Sequence, residues 1–194
     1  MPIYQPAAPA ESLREYTKWI AKRKSNSGLT ATKKIGKNHL PHKVFHVDLR
    51  DVTSGLGFTR ARIVSWRYLY TDKQGHTAVE VQQTDDGTHH LHESHSGPMV
   101  DEQKALQLSL VNRKELHHMN FENAYLRVFA LKICALWLRA PNREHDYFIP
   151  LPPYFYDLQA GQLYTTEKFV EIIQGAISKF RSKSTNQHDP MKGG

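Results

Sequence analysis

Between Val44 and Leu110 the sequence is a series of short segments in which apolar and polar residues alternate, each closed by a glycine or a polar turn. Such a pattern commits the middle of a chain to an antiparallel sheet. Phe45, Val47 and Leu49 share one parity. A longer segment, about 58–71, meets a second, about 76–84, across Asp72-Lys73-Gln74-Gly75. Asp85-Asp86-Gly87 is then a tight-hairpin signal, because glycine accepts the positive φ such turns demand, and it pairs 76–84 with the segment ending at His95. Leu106-Gln107-Leu108-Ser109-Leu110 alternates as well and predicts a further strand. The count is about five strands.

Three segments predict helices. Over 11–24, Leu13, Tyr16 and Ile20 recur at helical spacing, with Glu11/Arg14 and Glu15/Lys18 as supporting pairs. The segment 121–139 is apolar almost all round, as expected of a helix buried across a sheet, and Pro141 ends it. Near the C-terminus Phe169, Ile172, Ile173, Ala176, Ile177 and Phe180 form an apolar stripe with Glu167 in the first turn. The predicted fold is α+β: an antiparallel sheet of about five strands covered by a central buried helix and a C-terminal amphipathic helix, with a basic N-terminal helix and arm. The expected organisation is a flexible N-terminus over 1–10, the basic helix and arm over 11–43, a single α+β domain over 44–181, and a disordered tail over 182–194.

Composition narrows the class. With 39% hydrophobic and 23% charged residues the chain has the material for a packed core. A single cysteine, Cys134, excludes an internal disulfide and sets a reducing compartment as the default, the cytoplasm or a eukaryotic nucleus. The N-terminus lacks a charged stretch followed by an apolar one, so no secretory signal is expected. The one long apolar run, about 124–138, is broken by Arg127 and Lys132 and is too short to span a bilayer, so no membrane partner is expected.

The formal net charge of +7 makes a polyanion a natural partner. Much of the excess lies in one stretch: Lys22, Arg23, Lys24, Lys33, Lys34 and Lys37 occur with no carboxylate between Glu15 and Asp48. Basic arms of this kind engage phosphates without reading sequence. In an unbulged strand Arg60, Arg62, Val64, Trp66, Tyr68 and Tyr70 share a face, and cations beside aromatics hold single-stranded nucleic acid by phosphate contact and base stacking. The simpler reading packs Trp66 and Tyr68 beneath the helix at 121–139.

His89, His90, His92 and His95 place four imidazoles in seven positions. On a regular strand His90 and His92 face one way and His89, Leu91, Glu93 and His95 the other, so His90 and His92 are the pair able to share a metal such as zinc. Further ligands would come from His46, Asp48, His117 or His118. No Cys-x-x-Cys, His-Glu-x-x-His or calcium-loop spacing supports such a site, and a solvated strand is the simpler reading. Asp48, Asp51 and Glu80 are carboxylates of the kind that hold magnesium in nucleases, but Glu80-Val81-Gln82 lacks the usual lysine. Finally, Tyr147, Phe148, Tyr154, Phe155 and Tyr156 flank prolines in a segment suited to a protein partner or a homo-oligomer contact, or to capping the core. Taken together, the expected function is a small non-enzymatic nucleic-acid-binding or accessory protein. The rivals are a metal-dependent enzyme centred on the histidine strand and an assembly module using the aromatic segment.

Overall fold

The structure, a computed structural model, describes residues 3–26, 41–54, 57–142 and 145–186. In chain order the elements are β1 (Ile3–Tyr4), α1 (Ala10–Asn26), β2 (Pro41–His46), α2 (Leu49–Thr53), β3 (Arg62–Asp72), β4 (Gly75–Gln83), β5 (His89–Ser96), α3 (Pro98–Leu110), β6 (Phe121–Val128), β7 (Ile133–Arg139), β8 (Tyr147–Leu151), β9 (Tyr164–Thr165) and α4 (Thr166–Asn186). All nine described strands join one sheet in the order β5-β4-β3-β2-β6-β7-β8-β9, with β1 beside the start of β6. It consists of two antiparallel meanders, β2 to β5 and β6 to β9, running outward from a shared centre. They meet where β2 pairs with β6 in parallel, Val44 beside Tyr125 and His46 beside Arg127.

The chain is α+β, but the expected five-strand antiparallel sheet under a buried central helix is wrong. Residues 121–139 form the hairpin β6–β7, turning at Lys132 with φ 56°. Their apolar character runs all round because both faces of these strands are covered, a pattern a buried helix segment shares. Tyr125, Leu136 and Leu138 pack on one face with Leu106 and Leu110. Leu126, Ala135 and Trp137 pack on the other with Phe169 and Ile173. The Leu106–Leu110 strand is also wrong: these residues end α3, where Leu106 and Leu110 are buried one turn apart while Leu108 is 64% exposed. Pro98 at the helix start marked this element. Pro150 sits within β8 opposite Ala135, and β9 reaches only Tyr147 and Phe148, so the missing N–H falls where β8 has no outer neighbour.

One face of the sheet carries α1 and α4. Tyr16 of α1 is fully buried, stacks on Tyr68 at 4.2 Å between centroids and packs with Trp66, Tyr70, Val79 and Val81. Ser12 is hydrogen-bonded to the Tyr68 hydroxyl at 2.9 Å. Under α4, Phe148 and Phe169 stack at 4.5 Å. The other face holds α3, which lies against β4, β5 and also β8.

That double contact reflects a strong curl. In a flat sheet β5 and β6, four strands apart, would be separated by roughly 19 Å, yet Arg127 of β6 is 3.1 Å from Glu93 of β5. The sheet therefore bends toward α3. Register shifts at Val44/Phe45 and at Glu80/Val81 supply local kinks, since a bulge adds one unpaired residue and sharpens the twist.

Because α1 is held chiefly by its aromatic face, Tyr16→Ala should cost about 3–5 kcal/mol of stability. A urea denaturation curve measures this, and a midpoint unchanged from wild type would show that α1 adds nothing to the core.

Candidate functional site

The concave face contains a charged cluster assembled from both meanders. Glu80 on β4 has a fully buried side chain. Its Oε1 accepts hydrogen bonds from Arg67 Nη1 at 2.5 Å and from Arg127 Nη2, and its Oε2 accepts from the Ser65 hydroxyl at 3.0 Å. Arg67 also donates from Nε to Gln103 of α3 and from Nη2 to His95 Nε2, each at 3.0 Å. A guanidinium only donates, so His95 carries its proton on Nδ1. Tyr125 lies beneath both cations, 4.5 Å from Arg67 and 5.3 Å from Arg127.

These contacts fix the ionisation states. Burial alone would raise the Glu80 pKa, but Arg67 and then Arg127 hold it below the usual carboxylate range. Burial, with the Arg67 charge, lowers that of His95. The cluster is thus a locked carboxylate with fixed cations and a neutral imidazole. Both Glu80 oxygens are occupied, Asp48 faces Arg62 at 3.2 Å and Asp51 faces Arg60 at 3.8 Å, so the three carboxylates do not converge on a magnesium position.

At the end of this face β2 and β6 run out side by side. β2 passes the chain toward β3 and β6 passes it toward β7, so the connections part over the strand ends. Across three neighbouring strands Arg62, His46 and Arg127 pair in a row. Phe129, 63% exposed, stands at its rim with the His46 ring edge-on at 4.3 Å and the Arg127 guanidinium at 5.9 Å. Burial, then the Arg127 charge, lowers the His46 pKa. The sequence does not single out Phe129, because the apolar run around it predicts a helix. Its signal was the pair of cations, Arg127 and Lys132, breaking an otherwise apolar run.

The structure separates the cationic and aromatic residues that the sequence groups together. Trp66 and Tyr68 are buried beneath α1 and present no stacking surface. Lys22 is exposed; Arg23 donates to Asp72 and Gln74 and lies over Trp19 and Tyr70; Lys24 is half-buried. Lys33, Lys34 and Lys37 lie outside the described residues. Arg60 and Arg62 precede or begin β3 whereas Asp72, the anchor of Arg23, ends it, so the two cationic groups are roughly 30 Å apart.

The regular alternation that defined the His90 and His92 pair is broken between them. Leu91 pairs with Val81 and Glu93 with Glu80, so His92 is the extra residue of a bulge, and His90, Glu93 and His95 share the concave face. Among the described residues no group of three or more His, Cys, Asp or Glu is placed to hold a metal ion. Of the aromatic segment, Phe148 is fully buried, Tyr154 donates to Glu102 of α3, and Tyr156 remains exposed. No helix among the described residues is long and apolar enough to cross a membrane.

Glu80→Gln should destabilise the protein by about 3–5 kcal/mol, because it leaves Arg67 buried without its counter-charge. Acid should act in the same direction. His42, buried beside the amide groups of Gln5, Gln107 and Asn123, has its pKa lowered to about 3, chiefly by burial. A folded-state pKa below the unfolded value of about 6.5 means that only the unfolded chain gains the proton in between. Stability should therefore be level above about pH 7 and fall from about 6.5 toward 3, with His46, His95 and Glu80 adding to the slope. Urea titrations at neutral and acidic pH test this, and His42→Gln should flatten the dependence; equal stability at both would refute it.

Comparison with protein-family models, with characterised proteins and with solved structures finds no match for this chain, so its function is argued from its own residues.

Proposed function

We propose that this is a non-enzymatic nucleic-acid-binding protein of a reducing compartment, the cytoplasm or the nucleus, which engages phosphates through its cation-rich N-terminal third. The carrying observation is the one-sided charge. Eight lysines and arginines and no carboxylate lie between Glu15 and Asp48, and the rest of the chain is close to neutral. A concentrated positive stretch releases counterions from a polyanion, the main source of affinity in sequence-independent binding.

The fold supports this reading in two respects. The helix carrying Lys22 is fastened to the sheet by Tyr16 and by Arg23, and Lys73 in the β3–β4 turn is exposed at the same end. Arg60 and Arg62 stand at the opposite end.

Fluorescence anisotropy with labelled DNA and RNA at about 50 mM salt tests the proposal, since phosphate contacts are strongest there. Binding should weaken steeply with salt. Replacing Lys22, Lys24, Lys33, Lys34 and Lys37 together by alanine should lower affinity at least about tenfold and make the salt slope shallower. Undetectable binding at low salt would end this reading.

A further inference from the structure

The end of the sheet where β2 and β6 run out side by side carries a more specific inference, which rests on the nucleic-acid reading above. We propose that it receives an unpaired nucleotide, with the base stacked on Phe129 and the phosphate on Arg62, so that the protein prefers single-stranded over duplex nucleic acid.

The first support is the ring. Phe129 follows β6 directly in a short turn and is 63% exposed, whereas Phe45, Phe58, Phe121, Phe148 and Phe169 are buried. A phenylalanine exposed in this way gains nothing for the core. It is nevertheless supported from within: His46 meets it edge-on, and Arg127, whose Nη2 is engaged by Glu80 and Glu93, lies 5.9 Å from its centre. The surface offered is apolar, flat and set against a fixed cation.

The second support is the charge around the ring. Arg62 is the exposed member of the Arg62, His46, Arg127 row, and Arg50, Arg60 and Lys132 are exposed on the segments beside it. Arg62 pairs with Asp48 at the surface, where such pairs are weak and exchange readily for a phosphate, while Arg60 reaches the half-buried Asp51 only at 3.8 Å. Arg127 is already satisfied and acts beneath the ring, not as the phosphate ligand. An aromatic face beside exposed guanidiniums is the combination that holds single strands, and stacking on it requires a base outside a duplex.

The test is anisotropy on one oligonucleotide of about 20 nucleotides, alone and annealed to its complement, with wild-type protein and the variants Phe129→Ala, Phe129→Trp and Arg62→Ala. The wild type should bind the single strand more tightly. Phe129→Ala should weaken single-strand binding about tenfold, within the range of one base–aromatic stack, and leave duplex binding unchanged. Phe129→Trp should restore the affinity, with its fluorescence quenched on binding. Arg62→Ala should weaken single-strand binding and reduce its salt dependence. Phe129 is a surface residue, so a thermal melt equal to wild type verifies the fold of each variant.

Equal wild-type affinity for both forms, or a Phe129→Ala protein that binds the single strand normally while the five-lysine variant does not, would overturn this inference and leave the general function standing. If the wild type binds neither form, both fall together.

Discussion

A buried carboxylate held by two guanidiniums organises this protein. Glu80 belongs to the first meander and Arg127 to the second, and their contact crosses the seam between β2 and β6. Removing these charges from water costs several kcal/mol per ion, repaid only when geometry and the remaining hydrogen bonds are good. Here Ser65, Gln103, His95 and Glu93 complete the set. The network therefore favours one curvature of the sheet, because any flatter arrangement withdraws Arg127 and leaves the buried carboxylate with Arg67 as its one cation. Placement of His46 and Phe129 follows, since both rest against Arg127 or its neighbours.

Legibility of the fold in the sequence followed from how many faces each element buries. α1 and α4 read clearly because each has one apolar stripe and one polar face. The hairpins β3–β4 and β4–β5 were marked by Gly75 and Gly87, both at positive φ. β6 and β7 were misread because they are covered on both sides, and covered strands lose the alternation that distinguishes them from helix. Leu106–Leu110 failed for the opposite reason: five residues are too few to separate a period of 2 from one of 3.6.

The site was less legible than the fold, and the bulges are the reason. No residue type announces that His92 is unpaired, yet that one residue moves Glu93 and His95 onto the face of His90 and so builds the cluster around Glu80. Near the start of β3 the shift at Val44/Phe45 places Arg62 beside His46 on the concave face. Trp66 and Tyr68 look like a binding platform in sequence, but which face α1 covers is decided by packing between residues some fifty positions apart.

The parallel seam also bears on how the chain folds. Val44 and Tyr125 lie about eighty residues apart, and everything in the first meander is made before its partner strand exists. Closing so long a loop is entropically unfavourable, and domains dominated by such contacts fold slowly. During synthesis β2 must wait with one edge unpaired, and Glu80 with only one of its two cations. An edge left open in a growing chain is where aberrant pairing begins. The Glu80 carboxylate is expensive to bury until Arg127 arrives, so the contact that completes the charge network can form only once the two meanders have met.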